Sequence, residues 1–160
     1  MATKFYLCTK CGNVVIKFID SGVGVDCCGQ KMQELIPYTN DTAMEKHLPV
    51  VECCKDGTVK VKVGSQPHPM TPEHHISFIF LETENGGQVR YLTPEDAPEA
   101  VFHICKDKEK VVAVYEYCNI HGLWKTVVPD ACENRPDEKK GCCKKFCGYS
   151  KKRSETGKVK

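Results

Sequence analysis

Between residues 38 and 128, apolar and polar positions trade places over short distances. Val59, Val61 and Val63 alternate with Lys60 and Lys62, the period-two signature of a strand with one buried face. The run "ISFIFL" at 76–81 is apolar at both parities, which predicts a strand covered on both sides and therefore central. "QVRYL", "AVFHIC", "VVAVYEYC" and "WKTVV" continue the series of short strand-like runs. Gly86-Gly87 predicts a hairpin turn between two of them, and "KDKEK" at 106–110 a polar loop. Strands at this spacing predict an all-β fold of the sandwich type, and no segment has the length and period of a substantial helix. Residues 1–37 are different. They hold one strand-like stretch, "VVIKFID", and too few apolar residues for a core, so that unit needs a metal or disulfides to hold together. After Pro129 the chain turns lysine-rich with clustered cysteines, so the expected organisation is 1–37, 38–128 and a tail at 129–160.

Composition narrows the class. The chain of 160 residues is 41% hydrophobic and 28% charged, the balance of a globular protein that folds without a membrane. Its longest apolar run is far short of a span, and "MATKFYLCTKCG" lacks the apolar stretch of a signal peptide, so the expected location is the cytoplasm. Twelve cysteines in a reducing compartment favour metal ligation or redox chemistry over a disulfide framework. Charge sets the tail apart: residues 133–160 carry ten Lys or Arg against four Asp or Glu, whereas residues 1–132 have an acidic excess.

Two constellations carry chemistry. Cys8 and Cys11 form a CxxC turn, and Cys27 and Cys28 follow as a pair that can complete a four-thiolate site. Zinc ribbons usually carry CxxC on both sides, and adjacent cysteines must strain a tetrahedron. The second constellation is His47 in "EKHLPV", His68 in "PHPM", His74 in "TPEH", and His121 with Cys118 in "CNIHG". Any one of these histidines alone reads as a surface or core residue. Together, on loops stiffened by prolines 49, 67, 69 and 72, they suit a redox-active transition metal such as iron or copper, and no dense carboxylate cluster supports magnesium or calcium.

The CxxC with a later CC resembles desulforedoxin, which implies iron at that site. With "EKHLPV", "PHPMTPEHHI" and "EYCNIHGLWK" behind it, the chain from about residue 4 to 126 resembles the desulfoferrodoxins, the two-iron superoxide reductases. That resemblance implies a small desulforedoxin-like domain followed by an immunoglobulin-like seven-stranded β-sandwich. It implies two irons per chain, one held by Cys8, Cys11, Cys27 and Cys28 and one by His47, His68, His74, His121 and Cys118. Glu45 and Lys46 fall on the family's catalytic pair. The implied reaction is one-electron reduction of superoxide to hydrogen peroxide without dioxygen, with a rubredoxin-like donor and a homodimeric assembly. His75 and His103 are read as non-ligands, and Cys105 as a buried apolar residue. Cys53 and Cys54 have no assigned role. Cys132, Cys142, Cys143 and Cys147 are enough in number for a third metal, with reversible disulfides or reduced thiols on a solvated tail as the alternatives, and the surrounding lysines suit an acidic donor better than nucleic acid. The rival readings are an iron electron carrier without turnover and a metal-stabilised binding module.

Overall fold

The structure is a computed structural model that describes residues 3–39, 44–54, 56–105 and 108–128. The basic tail, with Cys132, Cys142, Cys143 and Cys147, lies outside the described residues. No helix among them is long and apolar enough to cross a membrane.

The N-terminal unit consists of β1 (Lys4–Leu7), β2 (Val14–Lys17), β3 (Asp26–Cys27), β4 (Gln30–Lys31) and β5 (Gln33–Leu35). β1 lies between β2 and β5 in an antiparallel sheet, and β3 pairs with β4 in a two-residue ladder. Such short strands leave little period to read, which is why only β2 was expected.

A one-turn helix, α1 (Met44–His47), leads into β6 (Pro49–Cys53), β7 (Thr58–Val63), β8 (Ile76–Thr83), β9 (Gly86–Tyr91), β10 (Glu99–His103), β11 (Val111–Cys118) and β12 (Gly122–Val127). These seven strands form two antiparallel sheets, ordered β10-β7-β6 and β12-β11-β8-β9. The all-β sandwich is therefore as expected, and β8 is central, between β11 and β9. Pro49 opens β6, a position where its missing N–H is tolerated. One turn lies elsewhere than its glycines suggest. Glu84 and Asn85 make the hairpin, while Gly86 and Gly87 begin β9. Gly87 is required there because a Cβ would stand 2.3 Å from the Phe80 ring, which lies across its backbone.

The two parities of β8 serve two cores. Ile79 and Leu81 face the sandwich interior with Val59, Val61, Val63 and Val114. Phe78 and Phe80 face outward and are covered by Phe5 of the N-terminal unit, together with Tyr115 and Leu123. Phe5 is completely buried, its ring centroid 5.2 Å from Tyr115 and 5.7 Å from Phe80. Burying such a side chain contributes about 1.5–3 kcal/mol. A polar latch lies beside it. Glu82 accepts hydrogen bonds from the Thr3 amide at 2.9 Å, the Thr3 hydroxyl at 2.6 Å and the Tyr115 hydroxyl at 2.9 Å. The first unit thus does not rely on a metal alone, because it shares a core with the sandwich.

Candidate metal centres

The first cluster is built by local backbone. Cys8 follows directly on β1 and accepts Gly12 N–H on its carbonyl, while its own amide donates to the Asn13 carbonyl, closing the CxxC knuckle. Cys28 has a φ of 54° and Gly29 a φ of 72°, two successive left-handed residues. That conformation is costly for cysteine, and it swings adjacent side chains toward one point. The strain expected of neighbouring ligands is therefore carried by the backbone. Cys11 Sγ and Cys27 Sγ lie 3.6 Å apart, Cys27 Sγ and Cys28 Sγ 3.8 Å, and the four sulfurs fall within 4.8 Å of one another. The Cys11 amide, with that of Lys10, draws the Cys8 thiol down to about 6, whereas the neighbouring sulfurs push Cys28 up to about 12. One thiolate is ready, and a cation must supply the field that ionises the rest.

The second cluster is assembled across the sandwich. His47 ends α1, His68 and His74 sit on the loop between β7 and β8, Cys118 ends β11, and His121 lies in the turn before β12. Ring centroids are 4.7 Å apart for His47 and His68, 4.6 Å for His68 and His74, 4.8 Å for His74 and His121, and 4.7 Å for His121 and His47. The diagonal from His47 to His74 is 6.4 Å, close to that of a square on those sides. Donor atoms of His47, His68, Cys118 and His121 lie within 4.8 Å of one another, and His74 joins them through its ring contacts. Cys118 is fully buried beside the square, its sulfur 3.5 Å from His121 Nδ1 and accepting the His121 amide at 3.4 Å.

Proton positions prepare the rings. His68 Nδ1 is 2.6 Å from the Pro69 carbonyl, so it carries the proton and leaves Nε2 with a free lone pair. His68 Nε2 and His74 Nε2 are buried without hydrogen-bond partners. Burial first, then the mutual repulsion of the rings and the Lys46 ammonium, brings His47 to about 4. His68 is also brought to about 4 by burial, against the opposing Pro69 bond, and His74 is lowered. Neutral imidazoles with orphaned nitrogens around a buried thiol are a donor set that fits iron and leaves costly polar groups unpaired without a cation. Burial holds the Cys118 thiol protonated in the metal-free chain, so metal binding there releases a proton.

Two neighbours were not anticipated. Glu116, fully buried on β11, places Oε1 3.5 Å from His47 Nδ1, and burial raises its carboxyl well above the usual range. Trp124 stacks on His47 at 4.8 Å with the planes 14° apart. The signal for Glu116 was its parity: it lies two residues from Cys118 and from Val114, both of which point inward. Glu45 and Lys46 are exposed beside His47. Their backbone packs on Gly64, where a Cβ would meet Glu45 O at 2.7 Å and Lys46 C at 2.7 Å, so the glycine just after β7 allows α1 to dock. Gln66 reinforces the contact, its amide N–H bonding Glu45 O at 3.0 Å and its side chain Glu45 Oε2 at 3.3 Å.

His75 and His103 stay outside both clusters. His75 Nδ1 is 3.1 Å from the Thr71 carbonyl, and His103 pairs with Thr58 at the far end of its sheet. Cys105 is half-buried rather than buried, because β10 ends two residues before it. Cys54 is a free thiol, whereas Cys53 is disulfide-bonded, an exception to the expectation that cysteines here serve metals.

Comparison with known proteins agrees with this arrangement. The family model described as Desulfoferrodoxin matches residues 39–127. The desulfoferrodoxin of Desulfarculus baarsii is 47% identical over 75% of this chain and 92% of its own length. That of Nitratidesulfovibrio vulgaris is 44% identical over 76% of this chain and 94% of its own. The superoxide reductase structure from Treponema pallidum superposes with a TM-score of 0.68 at 36% identity, covering 78% of this chain and 98% of that one. With a four-cysteine knuckle in front and an imidazole square over a buried thiol behind, this chain belongs to the desulfoferrodoxin family.

Proposed function

We infer that this chain is a superoxide reductase carrying two irons, one at Cys8, Cys11, Cys27 and Cys28 and one at His47, His68, His74, His121 and Cys118. The observation that carries this reading is the square of four imidazoles beside a buried thiol, with the Lys46 ammonium near enough to act on three of the rings. At those residues a bound ferrous ion would supply the one electron that, with two protons, converts superoxide to hydrogen peroxide without forming dioxygen.

The chain's own residues prepare and steer that reaction. Lys46 lowers the proton affinity of His47, His68 and His74, and the positive potential that does so also draws in an anionic substrate. Its ammonium, exposed to water, can order a proton-bearing water at the point of arrival. Glu45, one residue earlier and tethered by Gln66, is the carboxylate available to the oxidised centre. Amide N–H groups of His121 and Ile120 stabilise the Cys118 thiolate, and such bonds tune the potential of a thiolate-bound metal. Glu116 faces His47 Nδ1 at 3.5 Å without a hydrogen bond, its buried carboxyl held toward the neutral form, so it packs against that ring rather than drawing off its proton.

The further parts of the reading are a rubredoxin-like donor, a homodimer and a cytoplasmic location, the last because the cysteines grouped in the two metal sites must stay reduced to bind. Rapid mixing of the reduced protein with superoxide tests the function. Peroxide without dioxygen is expected, and Lys46→Ala should slow the bimolecular step about 10-fold or more and weaken its salt dependence while iron content is unchanged. Dioxygen release, or no reaction, would refute the assignment.

A further inference from the structure

We propose that Asn119 is a positioning residue that locks the two metal-bearing loops of the histidine centre together and so sets how firmly that centre holds its ion. The proposal deepens the metal reading above and rests on it for the ligands.

Among the described residues, the hydrogen bonds that join the two loops to each other run through Asn119. His68 and His74 lie on the crossing from β7 to β8, where residues 71–73 are exposed. That loop closes on itself through Thr71, whose amide donates to His74 O at 3.0 Å and whose carbonyl accepts the His74 amide at 3.1 Å. Cys118 and His121 lie on the other loop, the turn from β11 to β12. The β8–β11 ladder reaches Ile76 and Cys118 and shifts register there, so regular pairing stops where the two loops begin.

Asn119 takes over at that point. Its backbone amide donates to His75 O at 3.1 Å. Its side-chain carbonyl accepts the His75 amide at 2.9 Å, and its side-chain NH2 donates to Glu73 O at 2.8 Å. The carboxamide behaves as an added peptide group, using both its donor and its acceptor to hold the two residues that flank His74. Asparagine suits the role for a chemical reason: aspartate offers no donor for Glu73 O, and alanine offers neither group. Asn119 itself is exposed and contributes nothing to either core, so its bonds act on the loops alone. Partners that orient ligands in this way are typically worth about 10–100-fold in metal affinity.

The test compares the full chain with Asn119→Ala and Asn119→Asp, each loaded with iron without oxygen. Iron loss to a chelator should be about 10–100-fold faster from the histidine centre of the alanine variant. Loss from the four-cysteine centre, the internal control, should be unchanged, and the thiolate-to-iron absorption of Cys118 should shift. Asn119→Asp, which keeps the acceptor, should fall between. Hydrogen exchange of the His75 amide in metal-free protein reads the clamp without any ion, with protection expected in the parent chain and lost in the alanine variant. Wild-type iron retention and absorption in Asn119→Ala would overturn the proposal, as would equal loss from both centres or a His75 amide unprotected in the parent. A parent that protects His75 yet binds no iron at the histidines would sink the metal assignment and with it the retention effect, leaving the loop clamp as a structural bond only.

Discussion

The two centres reach similar ends by opposite routes. The cysteine cluster draws all its donors from residues 8–28, places most of them near the surface, and relies on two left-handed residues to make adjacent thiols converge. The histidine centre draws donors from residues 47–121, buries His47, His68 and Cys118, and stands on strands already packed around a core. In the first, metal completes a knuckle beside a sheet that Phe5 already docks on the sandwich. In the second, structure makes the metal site. A cluster within one short segment has few tertiary contacts to oppose chain entropy, while a sandwich has met that cost before any ion arrives.

The strongest way to break the comparison is to strip both metals. Structural metal binding is worth on the order of 10 kcal/mol to a small unit. Amides of β3 and β4 should then exchange like those of an unfolded chain, while those of β8 and β11 keep their protection in the same hydrogen-exchange experiment. Equal loss in both would show that the sandwich also depends on its ion.

Next in size is Phe5→Ala, which empties the shared core. Its expected cost is about 3–5 kcal/mol, read by denaturant unfolding, with limited proteolysis releasing the N-terminal unit first. Iron retention at the histidine centre should be untouched, because Phe5 packs on the outer parity of β8. A smaller effect is expected from Gly64→Ala, at about 1–3 kcal/mol, since a left-handed φ of 78° and the contacts to α1 must both be violated. That variant should keep the cysteine iron and lose superoxide reactivity through displacement of Lys46 and His47.

The mildest test is acid. In metal-free protein Cys8 has its pKa below its ordinary 9.0, at about 6, and His47 and His68 lie below 6.5, at about 4. All three favour the deprotonated form on folding, so the unfolded chain binds more protons and stability falls as pH falls. The Cys8 contribution is present above 9.0 and lost by about 6, and the histidine contribution is present above 6.5 and lost by about 4. Two separate steps, followed by thiolate absorbance and imidazole NMR signals, are expected. His47 or His68 titrating near 6.5 would mean that these two rings are not buried as described.

Much of the site was legible because its donors are rare residue types on short, proline-marked loops, and both constellations reappear in space as grouped. The limits of β11 were legible too, since "VVAVYEYC" coincides with Val111–Cys118, whereas β8 runs past its apolar stretch to Thr83. Glu116 and Trp124 were hidden because their partner, His47, is about 70 residues away, and only strand pairing brings them to it. The Gly86-Gly87 turn misled for a related reason: the glycine signal was real, but it answered to the Phe80 ring across the ladder rather than to the hairpin.

By itself the sequence determined the local things: the CxxC knuckle, the alternation of β7, the doubly apolar β8, and which residues carry ligand chemistry. Tertiary structure alone decided which parity of β8 faces the sandwich and which is covered by Phe5, how four distant rings become a square, and how Asn119 joins two loops. Local pattern reflects the geometry of one strand or turn, whereas these features depend on register between strands far apart in the chain, where shifting by one residue would exchange every inward and outward side chain.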